Sequence, residues 1–286
     1  MIDLHTHTTA SDGRCTPSQL VERAGAAGVT VLSVTDHDTV DACQKAASAC
    51  AAAGITFVPG IEITAVREEV DVHILGYFLD PQSSRLRVFL AEQRRRRLDR
   101  VGRMIVQLET LGLHLDADAI VRPAIDQPGT SIGRPAIARA LVAAGYVKSS
   151  NEAFASWLSR GRPGFVPREG ASADAVIAQV HAAGGVASLA HPGLLRRDEW
   201  IAGFASSGLD AIEAYHTNHD EAMTGRYRSV AHRLGLGVSG GSDYHADESH
   251  GSAHPGSVSL PIESFDQLRE RATSRATASG ATATSS

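Results

Sequence analysis

The sequence is poor in cysteine, in aromatic residues and in long apolar runs, and each shortage excludes a class of protein. Its 286 residues contain three cysteines, Cys15, Cys43 and Cys50, without the spacing of a zinc site or a disulfide framework. An odd number of cysteines is typical of a reducing compartment. No apolar run approaches the length of a transmembrane helix, which argues against a membrane protein. The net charge of −5 argues against general binding to nucleic acid and leaves a local basic patch open.

The first residues of the chain predict the cellular compartment of the protein. Met1 to Leu4 lead directly to a candidate ligand, His5, so we expect no cleavable signal sequence before it. A cytoplasmic protein is therefore expected, with no membrane partner and no obligatory protein partner. The length suits a single α/β barrel that carries an inserted lobe.

Short apolar runs alternate with amphipathic, alanine-rich stretches, which predicts an α/β fold with a parallel sheet. Strands are predicted at 2–4, 29–34, 55–58, 61–64, 70–79, 185–189, 209–214 and 236–239, and helices at 17–28, 40–53 and 173–183. The stretch from 83 to 167 lacks clear strands and begins with one long predicted helix, 83–112. We therefore predict a barrel of residues 1–80 and 168–275, an inserted helical lobe of residues 81–167, and a flexible tail of residues 276–286.

The positions of the polar residues favour a barrel over an open sheet. The following residues come directly after predicted strands or beside them: His5, His7, Asp36, His37, Glu62, His191, His216, Asp243 and His245. A (β/α) barrel collects its active site at the carboxyl ends of successive strands. An open doubly wound sheet would use only its switch point.

Imidazole and carboxylate groups are mixed in these motifs, which predicts a divalent metal site. In His5-Thr6-His7, alternate residues of an extended chain point to one side, so both imidazoles can bind one ion. Such mixed ligands suit Mn²⁺, Zn²⁺ or Fe²⁺ better than Ca²⁺ or Mg²⁺, and a carboxylate such as Glu62 can bridge two ions. A lone His-X-His pair is common by chance, whereas polar groups at six strand ends are not independent accidents.

The remaining aspartates and histidines are assigned roles other than metal ligation. Asp36 and Asp38 flank His37, and we expect them to orient its ring through the free nitrogen. Five histidines fall outside the pattern and are interpreted as ordinary surface or core residues: His114, His181, His232, His250 and His254. His219 lies close to His216 across a turn, and its role stays open.

Together these motifs resemble the PHP (polymerase and histidinol phosphatase) family. The resemblance is carried, over residues 1 to about 260, by His5-Thr6-His7, Thr35-Asp36-His37, Glu62, His73, His191-Pro192 and Asp243-Tyr244-His245. Members of this family adopt a distorted (β/α)7 barrel with up to three metal ions. The resemblance therefore implies a distorted (β/α)7 barrel with an inserted helical lobe, holding two or three divalent ions, with Mn²⁺ favoured over Zn²⁺ or Fe²⁺.

The resemblance also implies how the ligands are shared. One ion would be bound by His5, His7, Glu62 and Asp243. A second ion would be bound by Glu62, His73 and His191. A third ion would be bound by Asp12, His37 and His245, although some relatives have a histidine where Asp12 stands.

Three further stretches, 132–135, 161–167 and 213–219, resemble the TrpH/YciV-type subgroup of this family. That subgroup includes a phosphatase that removes the 3′-phosphate from nucleoside 3′,5′-bisphosphates, and close relatives trim short RNA from its 5′ end. The resemblance implies a phosphoric monoester hydrolase in which a metal-bound hydroxide attacks the 3′-phosphate, converting adenosine 3′,5′-bisphosphate, for example, to AMP.

The second phosphate of such a substrate needs its own binding residues. Arginine is the natural residue to bind it with paired hydrogen bonds, and we expect Arg134 and Arg160, in the predicted lobe, to do so. The alternative is that they are surface arginines. His216 is expected to bind phosphate or to protonate the leaving group, unless it is a further metal ligand. Asp36 is predicted, with His216, to be catalytic.

The run Arg94-Arg95-Arg96-Arg97 suggests nucleic-acid binding, but a charge run on a helix is more often a solvated face. Arg94 and Arg97 continue the apolar stripe of the predicted helix toward Leu98 and Val101. Either one is a candidate to point inward, toward a substrate phosphate.

Three other functions remain open. A 5′-to-3′ exoribonuclease on short 5′-phosphorylated oligonucleotides would cleave at the same 3′ oxygen. A histidinol phosphate phosphatase is known in the family, but the inserted lobe argues against it. A non-catalytic, metal-stabilised module would be expected to lose ligands, whereas this sequence keeps the full set.

Overall fold

The computed structural model describes residues 1–247 and 251–283. In these residues one sheet runs in the order β1-β2-β3-β4-β5-β6-β7, so strands that follow one another in the chain are also neighbours in space. The strands are β1 (Ile2–Asp3), β2 (Val31–Val34), β3 (Thr56–Arg67), β4 (Val70–Tyr77), β5 (Val186–Leu189), β6 (Ala211–His216) and β7 (Gly237–Gly241).

The first and last strands meet, which makes the sheet a nearly closed barrel. The backbone nitrogen of Leu4 donates to the oxygen of Gly240 over 3.2 Å, and that of His7 donates to the oxygen of Tyr244 over 2.9 Å. The carboxylate of Asp3 supports this junction, because it accepts hydrogen bonds from the backbone nitrogens of His5 and Ser242. The predicted fold class, a distorted seven-stranded α/β barrel, is confirmed.

One part of the barrel departs from the predicted parallel sheet. β1, β2 and β3 pair in parallel, as do β5, β6 and β7, but β4 pairs antiparallel with both of its neighbours. The cause is the tight connection from β3 to β4 through Glu68 and Glu69, which have positive φ angles of 51° and 60°. Such a short turn joins only antiparallel strands. This hairpin is the distortion of the barrel.

β3 is also longer than predicted. Two strands were expected, 55–58 and 61–64, and Pro59-Gly60, a pair typical of turns, lies between them. A Cβ on Gly60 would lie 2.1 Å from Oγ of Ser33, so the absence of a side chain lets β3 continue past β2. As a result Glu62 lies within one continuous strand.

The helices lie between the strands and after the last one. In chain order they are α1 (Pro17–Ala26), α2 (Cys43–Ala53), α3 (Ser84–Thr110), α4 (Ala117–Asp126), α5 (Arg134–Ala143), α6 (Ser150–Ala153), a π-helical turn (Phe154–Leu158), α7 (Ala173–Ala182), α8 (Pro192–Leu195), a 3₁₀ turn (Asp198–Trp200), α9 (Ile201–Ser206), α10 (Glu221–Arg233) and α11 (Ile262–Ala283). The predicted start of α1 is present, since Thr16 and Gln19 form a reciprocal capping box.

The helices between β4 and β5 have an apolar core of their own. α3 connects the two cores, because its residues Leu86 and Leu90 pack in the barrel core, whereas Met104 and Leu108 pack in the second core. This arrangement favours the division into a barrel of residues 1–80 and 168–275 and a lobe of residues 81–167, which stays a prediction.

Three smaller expectations concern the rest of the chain. α11 continues to Ala283, although a flexible tail was predicted at 276–286, and residues 284–286 lie outside the described part. His250 also lies outside it. Among the described residues, no helix combines the length and apolarity needed to cross a membrane. The three cysteines are free and buried.

The junction between β7 and β1 leaves no room for a side chain at Gly241, where a Cβ would lie 2.3 Å from the backbone nitrogen of His5. We expect Gly241→Ala to lower the free energy of unfolding by about 1–3 kcal/mol, the usual cost of overpacking. Gly102→Ala, within α3, is the control, because nothing lies within 4 Å of a Cβ there. It should stabilise the protein by up to about 1 kcal/mol in urea denaturation. Equal stability of the two variants would contradict this description of the junction.

Candidate metal centre and the adjoining arginine cavity

Glu62 is the centre of the cluster at the mouth of the barrel, and its side chain is almost fully buried. Its Oε2 faces ring nitrogens of three histidines: His5 at 3.4 Å, His7 at 3.3 Å and His37 at 3.1 Å. Its Oε1 faces two others: His73 at 2.7 Å and His191 at 3.1 Å. The two oxygens therefore face different sets of imidazoles, as expected for a carboxylate that bridges two ions.

Asp243 lies opposite Glu62. Its Oδ1 is 3.3 Å from Nε2 of His5 and 3.3 Å from Nε2 of His7. These are the same ring nitrogens that face Oε2 of Glu62. Two imidazoles and two carboxylates thus converge on one small volume, in agreement with the first predicted ligand set.

The third predicted set also comes together. Oδ1 of Asp12 lies 3.4 Å from Nε2 of His245, and Oδ2 lies 3.7 Å from Nε2 of His37. The other nitrogen of His37 faces Glu62, so this ring stands between two groups of candidate ligands. His7 belongs to the same spatial group as Asp12, His37 and His245.

The donor atoms fit divalent ions. Several of these buried atoms make no hydrogen bond within the protein: Nε2 of His5, both ring nitrogens of His7, Oδ1 of Asp12, and Nδ1 of His37 and of His191. A buried polar atom without a partner costs free energy, so such atoms in one cluster indicate a partner that the chain does not supply. Nitrogen and carboxylate donors at these spacings suit a transition-metal ion.

The charges in the cluster hold one another in their ionised forms. Burial alone would raise the pKa of the Glu62 carboxyl, but the neighbouring imidazoles, chiefly His37 and His73, hold it well below its usual range. Burial would lower the pKa of His7, but the adjacent carboxylates of Asp243 and Glu62 outweigh burial and raise that pKa to about 9.

Backbone strain accompanies the cluster. His191 and Asp243 have positive φ angles of 27° and 54°, and Asp38, next to His37, has 53°. Such angles are uncommon for residues other than glycine and persist where surrounding contacts impose them. They aim the side chains inward at the points where strands turn into loops.

Glu213, in β6, supports the cluster and was missed in the sequence analysis. Its Oε1 lies 2.9 Å from Nδ1 of His5, and its Oε2 accepts a hydrogen bond from the backbone nitrogen of His191 over 2.7 Å. It therefore fixes the orientation of one candidate ligand and the position of another. The available signal was a carboxylate between apolar residues, Ile212 and Ala214, of a predicted strand, which is costly unless the carboxylate has a partner.

The two aspartates beside His37 do not orient its ring. Asp36 is buried and accepts hydrogen bonds from the backbone and hydroxyl of Thr8 and from the hydroxyl of Ser11, so it holds the loop after β1. The carboxylate of Asp38 instead faces Arg97 at 2.8 Å. These contacts give no support to a catalytic role for Asp36, because its oxygens are engaged by Thr8 and Ser11.

His216 lies deeper than a substrate-binding role requires. Its side chain is buried, and its Nε2 lies 3.4 Å from Oδ2 of Asp243. It forms a spatial group with His5 and Asp243 that could hold a metal ion, so the geometry favours the alternative of a ligating or supporting histidine. His219 supports the backbone, since its Nδ1 pairs with the oxygen of Ala214.

A cavity of about 170 Å³ adjoins the cluster. Candidate ligands form one wall: Asp12, His37 and His73. Four arginines form much of the rest: Arg97, Arg100, Arg134 and Arg168. We call this space the arginine cavity. Arg97 and Arg100 come from α3, Arg134 begins α5, and Arg168 precedes α7, so the long helical segment between β4 and β5 supplies most of this charge.

Two carboxylates hold these arginines in place. Asp38 faces Arg97 at 2.8 Å and Arg168 at 3.6 Å. Asp71 faces Arg134 at 3.1 Å and Arg100 at 3.4 Å.

The positive charge of the cavity exceeds what these carboxylates neutralise. Burial would raise the pKa of Asp71, but the charges of Arg134, Arg168 and Arg100 hold that pKa at about 2. Burial, together with the charge of Arg97, lowers the pKa of Arg168 to about 9. Four guanidinium groups against three carboxylates, those of Asp12, Asp38 and Asp71, leave an excess of positive charge that suits an anion.

Sequence reasoning found this cavity only in part. Arg134 lies in it, as predicted, and the candidate Arg97 points inward. Arg100 and Arg168 were missed, although Arg100 lies one helical turn from Arg97 on the buried face of α3. Arg160 lies elsewhere, with its side chain 54% exposed and bonded to Glu69.

Comparisons with known proteins identify the family of this chain. The family model of the PHP domain matches residues 3–127. A 3′,5′-nucleoside bisphosphate phosphatase from Chromobacterium violaceum is 36% identical over 252 residues, which cover 86% of this chain and 87% of that protein. The chain belongs to the PHP family.

Two further PHP relatives agree with this assignment. A 5′-3′ exoribonuclease Rnm from Salmonella typhimurium is 36% identical over 85% of this chain and 84% of its own length. A crystal structure from Bifidobacterium adolescentis, described as a metal-dependent phosphoesterase, has a TM-score of 0.84 and 34% identity, covering 94% of this chain and 95% of that one. The protein is accordingly a hydrolase of phosphoesters from a metal-dependent family.

Glu213→Gln should weaken metal binding. The amide keeps the size of the side chain but removes the negative charge beside Nδ1 of His5, which is expected to lower Mn²⁺ affinity by roughly 10–100-fold. Isothermal titration calorimetry on metal-free protein measures this change. Glu22→Gln, an exposed position on α1, is the control. Unchanged affinity in Glu213→Gln would show that Glu213 does not act on the cluster.

Metal uptake should release protons. His7 has a pKa of about 9 without metal, so it is protonated at neutral pH and must lose that proton to coordinate an ion. Apparent Mn²⁺ affinity should therefore rise with pH until His7 is neutral, by up to about tenfold per unit. Calorimetric titrations in buffers of different ionisation enthalpy count the protons, and a heat that does not depend on the buffer would contradict this.

Proposed function

We propose that the protein removes the 3′-phosphate from nucleoside 3′,5′-bisphosphates, such as adenosine 3′,5′-bisphosphate, leaving the 5′-monophosphate. The observation that carries this proposal is the arginine cavity beside the cluster of candidate ligands. A bisphosphate presents two anionic groups at a fixed separation, and the mouth of the barrel offers two adjacent sites for them. The relatives named as a bisphosphate phosphatase and an exoribonuclease support the same class of substrate.

The proposed ligands are His5, His7, Asp12, His37, Glu62, His73, His191, Asp243 and His245. When bound, two or three divalent ions, for which we favour Mn²⁺, would neutralise the oxygens of the scissile phosphate and lower the pKa of the attacking water. The chain contributes orientation: Glu213 holds the ring of His5, and Asp3 holds the backbone of His5.

The proposed place of the 5′-phosphate is the arginine cavity. Arg134 and Arg100 share one carboxylate, that of Asp71, so each has hydrogen-bond donors left for a phosphate. Holding this phosphate fixes the position of the 3′-phosphate relative to the cluster. Binding of the phosphate that does not react thus contributes to the rate through orientation.

Histidinol phosphate fits this arrangement less well. It carries one phosphate and an ammonium group. The phosphate would occupy the metal cluster, and the ammonium group would then meet the surplus positive charge of the arginine cavity. We therefore favour a nucleotide as the substrate.

Arg134→Ala should raise KM for adenosine 3′,5′-bisphosphate by roughly tenfold or more, the loss expected for a hydrogen bond to a charged group. KM for p-nitrophenyl phosphate, which has no second phosphate, should change by less than about twofold. Steady-state phosphate release measures both. Arg160→Ala is the matched control, because that side chain lies outside the arginine cavity and should alter neither value. Equal changes for both substrates in Arg134→Ala would contradict the proposal.

A further inference from the structure

A second and larger cavity continues from the arginine cavity. It has a volume of about 870 Å³ and is lined by three cationic residues: Arg14, Arg139 and Lys148. Pro135 and Phe154 line both cavities, so the two spaces adjoin. We call the larger one the outer groove.

The outer groove also adjoins the candidate metal ligands. Arg14 lies two residues after Asp12, and its backbone nitrogen donates to the oxygen of His245 over 2.8 Å. Ala246, the residue after His245, lines the groove. A chain bound at the metal cluster can therefore continue directly into this groove.

The cations of the outer groove outnumber the carboxylate of Asp247, which also lines it. Within residues 1–247 and 251–283, no ion pair or side-chain hydrogen bond engages the charged groups of Arg14, Arg139 or Lys148. Burial and the charge of Arg14 lower the pKa of Arg139, and the carboxylates of Asp12 and Asp247 oppose this shift only in part. Holding like charges together costs free energy, which an anionic ligand would offset.

An aromatic ring stands where the two cavities meet. Phe154 is half-buried, and the centre of its ring lies 5.7 Å from the guanidinium carbon of Arg134. It begins the π-helical turn, a local irregularity frequent at functional sites. Cationic grooves with an aromatic platform are the usual means of binding single-stranded nucleic acid, since phosphates meet the cations and bases stack on the ring.

We propose that the outer groove binds the nucleotides of a short RNA that follow the cleaved bond. This inference rests on the proposed function, because it places the 5′-phosphate in the arginine cavity and the next phosphate at the metal cluster. The downstream phosphates then meet Arg14, Arg139 and Lys148, and a downstream base stacks on Phe154. A nucleoside bisphosphate ends at the cluster and does not enter the groove.

The chemical step is the same for both substrates. The oxygen of water bonds to phosphorus, the bond between phosphorus and the 3′ oxygen of the first nucleotide breaks, and that oxygen takes up a proton. With a bisphosphate, the phosphate leaves as inorganic phosphate. With RNA, it stays on the shortened chain as a new 5′-phosphate, which the arginine cavity can bind in the next cycle.

The first test compares the two substrates. Changing Arg14, Arg139 and Lys148 together to Ala should raise KM for a 5′-phosphorylated RNA tetranucleotide by roughly tenfold or more, whereas KM for adenosine 3′,5′-bisphosphate changes by less than about twofold. Arg85→Ala, an exposed arginine on α3 outside the groove, should change neither. Equal effects on both substrates, or no effect on RNA, would overturn the inference.

The second test needs no turnover. Fluorescence anisotropy with a labelled 2′-O-methyl tetranucleotide gives affinity as a function of salt. The triple variant should lose about two units from the slope of log affinity against log salt, about 0.7 for each phosphate contact removed. Phe154→Leu should weaken binding roughly fivefold or more, and Phe154→Tyr should retain it. An unchanged slope, or equal affinities of the Leu and Tyr variants, would overturn the inference.

The two proposals fail differently. A wild-type protein that hydrolyses neither substrate would refute the proposed function, while the anisotropy experiment would still show whether the groove binds RNA. If the protein hydrolyses the bisphosphate but its RNA affinity does not depend on the three cations, only the proposal about the outer groove is refuted.

Discussion

The contact between the buried carboxylate of Glu62 and the imidazoles around it is the interaction on which the rest of this structure depends. The rings come from several strands or from the loops that follow them, so they meet only if the barrel closes in one register. Burying so many ionisable groups is costly unless opposite charges are adjacent, and each carboxylate of the cluster faces imidazoles. Glu213 and Asp3 fix the position of His5 in this arrangement through hydrogen bonds. A barrel of this kind is stabilised most fully when cations occupy its mouth.

The helical segment between β4 and β5 joins the barrel through charge as well as through apolar contact. Arg97 of α3 donates to Asp38 beside β2, and Arg134 of α5 donates to Asp71 of β4. These ion pairs dock the helices and at the same time leave guanidinium groups facing the cluster. Recognition of a second phosphate is therefore coupled to the packing of the helices, since neither side alone forms the cavity.

The three proposed sites adjoin one another, because the arginine cavity borders both the metal cluster and the outer groove. A substrate is then distinguished by how many of these sites it fills rather than by the bond that is broken. This arrangement accounts physically for relatives that carry the names of a phosphatase and of an exoribonuclease. The surplus of positive charge in both cavities lies on a chain with a net charge of −5, so attraction for nucleotides is a local property of this face.

The sequence by itself determined the alternating α/β barrel and the metal-ligand candidates, because strand periodicity and histidine–aspartate motifs at strand ends are local patterns. It did not determine the antiparallel β3–β4 hairpin, which turns at Glu68 and Glu69. It also did not determine the continuity of β3, since the role of Gly60 depends on how closely another strand passes. It also could not separate Arg134 from Arg160, or find Glu213. Only the tertiary structure decided these, because a charged side chain is buried or exposed according to its partner. For Arg97 that partner, Asp38, lies 59 residues away in the chain.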